Sequence, residues 1–570
     1  VLALDPGGLA PFGPLKWALV PTLVLAGLAL LRPAWPRLWA PFLVAVGLAA
    51  AAGVDPLSAW MGTPERHFGA FTWLLCAAAF ACGQRLDPVG RRLLLRSGAV
   101  TACVLGAWTG AEAMGWRPLD LAGAGTRPVG TLGSSAFVGA AAVLLGPLVV
   151  ALPRRARFPA GGLALGALVV SGARAAWVGA LVVAAAVVVL RRPKPALVAG
   201  AAAFAVAVAL ASGATARLGD TLSEGDGGAR GRLDEWRVAA RVVAHHPVLG
   251  LGPEGYRIDF GRHVDDGYEQ AHGRQVLPDR AHSAVLDVAA TTGLVGLAAY
   301  LGLLAVVGRA LLRALRRADG ISAAVAAGVL AYWVQSLFLF PVAELEPVAW
   351  LLAGTVVAIA PTRKRLPAGM AMAAAALALV ALAAGVLDVA ADQATRRALD
   401  TADASQAQRA RRLRPDQLRY RLAAARTYED GGDLRLAVVA LDRRSPDPKS
   451  ASERSRLLLE LARQTLDGHD LRAARAALEA NARGDSRNAE VLLRLGVVRA
   501  LDGDQRGAEQ AWLRAEQLAP RSAAAATDLA LAYAQAGRWD EAKAAARRAL
   551  AVDPGSQRAR DVLEGGPDGT

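Results

Sequence analysis

Cysteine is almost absent: Cys76, Cys82 and Cys103 are the three copies in 570 residues. All three fall in apolar segments, which excludes a disulfide framework and leaves no zinc-binding spacing. Histidine is scarce as well, with seven copies, and neither HExxH nor CxxC occurs. Five of the seven, His245, His246, His263, His272 and His282, lie in the stretch 213–282. His245 and His246 are adjacent instead of one helical turn apart, so no metal is expected, and no cofactor. No DxD motif stands where it could serve a metal-bound diphosphate, and Asp265-Asp266 is isolated.

The polarity of a soluble protein is missing too. Hydrophobic residues make up 54% of the chain and mean hydropathy is +0.32, which points to a membrane protein. The net charge of +15 sits in short arginine clusters between apolar runs, and in a tail that also carries many acids. That distribution serves topology, and no nucleic-acid partner is expected.

About 20 apolar residues cross a bilayer. Candidate spans are 15–31, 38–53, 70–84, 97–114, 134–152, 160–171, 175–190, 195–212, 283–308, 321–342, 347–361 and 367–388, about twelve. Basic clusters follow every second one: Arg32/Arg37, Arg85/Arg91/Arg92/Arg96, Arg154/Arg155/Arg157, Arg191/Arg192/Lys194, Arg309/Arg313/Arg316/Arg317 and Arg363/Lys364/Arg365. The positive-inside rule makes these loops cytoplasmic. Segments near 54–69, 115–133, 171–174, 213–282 and 343–346 then lie outside, with everything after about 389. Residues 1–14 also fall outside, and the chain begins with valine. A preceding helix is expected in the full protein.

The last 180 or so residues repeat at a spacing of 34: Pro520 and Pro554, Gly503 and Gly537, Leu495 and Leu529, Ala508 and Ala542, Ala515 and Ala549. This is the period of tetratricopeptide repeats. Earlier copies are readable around Leu458, Leu461, Ala474 and Leu478, and more weakly from Tyr420 to Pro448. The fold class is therefore all-α. A polytopic helical domain at 1–388, with an outer loop at 213–282, is followed by an extracytoplasmic α-solenoid at 389–570 that offers a surface for a protein partner.

His282 in "DRAHSAVLDVAATTGLVGL" stands where a loop becomes a membrane helix. An imidazole there can act as a base, because its unperturbed pKa is about 6.5. Arg66 in "GTPERHFGAF", Arg127 in "GTRPVGTLGSS" and Arg174 in "SGARAAWVGAL" lie on the outer side, against the charge rule, and so need another reason to be there. A diphosphate supplies one, since guanidinium binds phosphate bidentately; pairing with Glu65 or Asp120 is the alternative. Arg280 either works at the phosphates beside His282 or anchors the loop.

"SGARAAWVGAL", "RLDEWRVAARVVAHHPVLGLGPEGY" and "RAHSAVLDVAATTGLVGL" resemble, in this order, three blocks of the O-antigen ligase and polymerase superfamily. The resemblance covers roughly residues 15–360. It implies metal-independent transfer or polymerisation of glycan, from an undecaprenyl-diphosphate carrier to an acceptor hydroxyl on a lipid, glycan or protein. The place implied is the outer face of a bacterial cytoplasmic membrane. Arg174 would hold the diphosphate, His282 would activate the hydroxyl, and Gly250, Gly252 and Gly255 would fold the loop over the site. Ala173 stands where the family usually has serine, and Ser283 where asparagine is commoner. Two other readings are a transporter of a small anion such as bicarbonate, and a membrane-anchored repeat scaffold.

Overall fold

The computed structural model describes residues 1–63, 65–117, 127–191, 195, 199, 229–274, 277–316, 319–357, 365–441 and 446–565. All of the expected span 195–212 except residues 195 and 199 falls outside the described residues, as do Asp120, Arg192, Lys194, Arg317, Arg363 and Lys364. Among those described, the regular structure is helical throughout, without strands. The chain forms two compact units: one of Val1–Glu224, Val243–Tyr256 and Arg280–Tyr420, the other of Gly225–Val242, Arg257–Asp279 and Arg421–Thr570.

In the first unit five helices are long and apolar enough to cross a membrane: Pro14–Leu31, Pro88–Ala113, Arg174–Arg191, Ala284–Arg316 and Ala368–Thr401. Shorter apolar helices at Arg37–Ala51, Ser135–Ala151 and Gly320–Ser336 stand among them, as do Ala70–Arg85, Arg154–Val170 and Glu346–Val356. Each expected span except 195–212 thus coincides with a helix. The starts differ where capping outweighs hydropathy. Asp87 accepts the Gly90 N–H ahead of Pro88 at the first helical position, so Arg91, Arg92 and Arg96 lie inside a helix that hydropathy alone would start at 97.

The helices have two distinguishable ends. At one, arginines tie neighbouring helices together: Arg32 donates to Leu366 O at 3.0 and 2.9 Å, Arg91 to Ser322 Oγ at 2.9 Å and Arg191 to Leu315 O at 2.6 Å. At the other end Lys16 donates to Thr131 O at 2.6 Å, and Thr63 to Glu254 at 3.1 Å. Arg32, Arg91 and Arg191 belong to three of the arginine clusters read from the sequence.

Small residues let the helices between these ends approach closely. A Cβ on Gly83 would stand 2.2 Å from Leu351 O, and one on Gly354 2.2 Å from Phe80 O. Buried Trp39, Phe42, Phe80 and Trp350 fill the space beside them.

The helix Ala284–Arg316 is broken at Gly293, whose φ is +66°. Residues 247–251 enter the break. Leu294 N–H donates to Pro247 O at 2.7 Å and Leu251 N–H to Ala290 O at 2.9 Å, so the backbone groups freed by the break are satisfied. The run 294–316 is itself long enough to span. The break therefore lies toward the end of the spanning segment remote from Arg309, Arg313 and Arg316.

In the second unit helices pair as the repeat spacing requires: Pro448–Thr465 with Gly468–Gly484, Ala489–Leu501 with Gln505–Leu518, and Ala524–Gln535 with Trp539–Val552. Gly503 and Gly537 turn the chain within two of these pairs at φ of +84° and +74°. Ala508, Ala542 and Ala549 are fully buried, and Trp512 seats its ring against Gly496. The boundary expected at 389 falls inside the helix Ala368–Thr401, and the first unit continues to Tyr420. Asp388 holds it there, accepting from the Tyr420 hydroxyl at 2.9 Å and pairing with Arg414 at 3.2 Å.

Candidate functional site

His282 lies one residue before the buried Ser283, whose carbonyl accepts the Asp287 N–H at 2.8 Å and opens the helix Ala284–Arg316. Its φ of +48° is left-handed, a conformation non-glycine residues adopt only when their surroundings hold them in it. Its ring is 5.4 Å from Phe340. The Arg66 guanidinium covers the same phenyl ring at 4.5 Å, and Phe137 meets it edge-on at 6.0 Å. Two expected site residues, His282 and Arg66, therefore share one aromatic neighbour.

Arg174 is exposed and opens the helix Arg174–Arg191, at the end opposite Arg191. The tight turn before it is built by Ser171, which donates to Leu168 O at 2.7 Å and accepts the Ala173 N–H at 3.2 Å. Gly139 packs on Ala173 and Ala176, two residues from the Phe137 that reaches Phe340. The Arg174 turn, Arg66 and His282 thus belong to one end of the helix assembly. Arg127 is exposed as well, and Val129 and Gly130 just after it are pinned by Glu112, which accepts both N–H groups at 2.9 Å. Glu65, the expected alternative partner of an outer arginine, faces Arg419 at 3.9 Å.

Arg280 has a different environment from the one expected of a phosphate ligand. It is 2% exposed and pairs with Glu254 at 2.6 Å and Asp287 at 2.9 Å, with its guanidinium over Phe68. Glu254 also accepts from Thr63 Oγ1 and from the Phe68 N–H, each at 3.1 Å, and has a φ of +62°. Of the three glycines, Gly250 and Gly252 are left-handed. A Cβ on Gly250 would stand 2.6 Å from Ala290 O, and one on Gly252 2.7 Å from the Cα of Gly53. A Cβ on Gly255 would meet Leu251 O at 2.4 Å. Gly250 presses the loop backbone against the broken helix and Gly252 against the segment after Ala51, while Gly255 packs on the loop itself.

Phe340, Glu254, Asp287 and His67 were not singled out in the sequence. Phe340 sits in an apolar run with nothing to mark it, and Asp287 reads as a lone acid within a helix. Glu254 did carry a signal, a carboxylate inside a glycine-rich turn. His67 is left-handed at φ +51° and lies flat on Trp17 at 4.8 Å. Burial, reinforced by Arg419 and Arg414, lowers its pKa to about 3.

Comparison with known proteins gives two family matches. Residues 159–301 match the model of O-antigen ligase, and residues 523–556 that of the tetratricopeptide repeat. Among solved structures the chain is similar to a thermophilic TPR protein of Thermus thermophilus, at 26% identity over 31% of this chain and 98% of that one, with a TM-score of 0.26. It is also similar to MamA, at 21% identity over 29% of this chain and 94% of that one, with a TM-score of 0.25. No functionally curated protein matches.

Proposed function

We propose, from an O-antigen ligase domain at residues 159–301 and a tetratricopeptide repeat at 523–556, that the chain transfers glycan from an undecaprenyl-diphosphate-linked donor to an acceptor hydroxyl. The observation that carries this reading is the grouping of His282, Arg66 and the Arg174 turn at the end of the helices remote from the arginine ties. That end is the outer face of the cytoplasmic membrane, and the repeat unit is extracytoplasmic.

In the reaction the acceptor oxygen attacks C1 of the donor sugar and the bond from C1 to the diphosphate oxygen breaks. His282 takes the hydroxyl proton, a contribution of about 10²- to 10⁴-fold. The leaving diphosphate gains negative charge, which Arg174 neutralises, with Arg66 and Arg127 along the same phosphates. Fixed guanidinium charge at a diphosphate leaving group does the work a metal would otherwise do, so the step runs without one. Arg280, already engaged by two carboxylates, is a positioning residue that fixes the turn carrying His282.

The test is transfer by purified protein from an undecaprenyl-diphosphate glycan with EDTA present. His282→Ala and Arg174→Ala are each expected to lower the rate at least ~10²-fold. Full transfer by both variants sinks the mechanism. Solute uptake into liposomes without glycan transfer would favour a transporter instead.

A further inference from the structure

The segment joining the second and third sequence blocks is built into the repeat unit. Residues 225–242 and 257–279 belong to the same compact unit as 421–570, and they flank the block 243–256 in the chain. These two legs are tied to each other. Arg241 donates to His263 O at 2.8 Å and pairs with Asp265, and Asp234 meets His272 at 3.1 Å.

The second leg is also bound to the repeat helices. Arg257 pairs with Asp447. Arg274 bridges Glu269 at 3.0 Å and Asp485 at 3.1 Å, and Glu269 accepts the Ala489 N–H at 3.1 Å. Asp266 takes Arg487 at 3.2 Å and Arg514 at 2.8 Å, and Gln270 donates to Gln517 O at 3.0 Å. The Arg274 and Glu269 side chains are only 3% and 2% exposed. Exposed ion pairs contribute little, but a buried pair such as Arg274–Glu269 fixes its partners in place, since losing either one strands a charge.

We propose that this face of the repeats is a receptor for the chain's own hairpin, and that by gripping the legs it holds the block 243–256 in its working conformation. The second leg runs from the block carrying Glu254 to Arg280, and these two residues form the buried ion pair beside His282. Gripping the leg therefore restrains both partners of that pair. The effect on rate rests on the transferase reading, whereas the holding role does not.

Hydrogen exchange on the full chain in nanodiscs decides it. Arg274→Ala is expected to speed exchange at least ~10-fold in both 257–274 and 243–256, while 524–552 keeps its protection, and Arg274→Lys is expected to restore most of it. Faster exchange confined to 257–274, or none anywhere, overturns the proposal. If Arg274→Ala also exposes 524–552, the milder Asp266→Arg gives the same readout. Its combination with Arg514→Asp should then recover protection, and failure to recover overturns the proposal equally. Transfer by Arg274→Ala is expected to fall ~10-fold. A wild type that transfers nothing sinks the transferase reading and leaves the exchange result to decide this one.

Discussion

At the scale of single residues, the arginines at the site end divide by surroundings. Arg174 is exposed, so removing it strands nothing, and Arg174→Ala should change stability by no more than about 0.5 kcal/mol while transfer is lost. Arg280 neutralises two buried carboxylates, and Arg280→Ala should cost about 3–5 kcal/mol. Thermal unfolding in detergent separates the two, and equal destabilisation by both would contradict this division. A second consequence concerns acid. The folded His67 imidazole resists protonation until about pH 3, whereas the unfolded one takes a proton near ~6.5. Between those values the unfolded state binds the extra proton, so its contribution is complete above the unfolded pKa and declines as pH falls, by up to about 1.4 kcal/mol per pH unit. His67→Phe keeps the stack on Trp17 and should flatten the fall in unfolding temperature between pH 6 and pH 4. A slope equal to that of wild type would show that another group sets it. The proposed site residues His282 and Arg174 stand out in the sequence because each breaks a local rule, a polar residue at the edge of an apolar run and a cation against the expected charge asymmetry. Phe340 breaks none, and only its three-dimensional neighbours reveal it, whereas Glu254 is marked in the sequence by the glycines around it.

At the scale of elements, hydropathy located the helices but could not see the break at Gly293, because a glycine within an apolar run costs a helix only about 1 kcal/mol and leaves the hydropathy unchanged. The break exists because residues 247–251 supply its missing hydrogen bonds, a pairing across some forty residues of sequence. It also bears on the transporter reading. Broken helices in transporters leave their exposed ends for the solute, and here the chain's own backbone occupies them. A Cβ at Gly293 would stand 2.1 Å from Val248 O in a left-handed backbone, whereas Gly302 in the same helix faces open space. Gly293→Ala should therefore destabilise by several kcal/mol and reduce transfer. Gly302→Ala should be neutral or stabilising by up to about 1 kcal/mol. Unfolding curves for the pair check this, and similar values would mean that the break can close.

At the scale of the whole molecule, the arginine alternation is a pattern sustained along the chain, and so is the repeat period, which was legible. The division into units was not legible, because hydropathy marks where apolar runs stop, while Asp388 and Arg414 carry the first unit past that point, and the second hairpin leg joins the repeats through ion pairs scattered over 447–514. The alternation makes a claim about sidedness that can be tested directly. Arg155 is exposed in the helix Arg154–Val170, at the arginine-tied end, and Ser405 is exposed just after the helix Ala368–Thr401 has run from that end to the other. Cys76 and Cys82 are buried, so replacing Cys103 with alanine leaves a quiet background for labelling. In intact cells stripped of any outer barrier, a membrane-impermeant maleimide should label Ser405→Cys at once and Arg155→Cys only after permeabilisation. The opposite order would put His282 and Arg174 on the cytoplasmic face, where the proposed transfer from an outward-facing carrier cannot run.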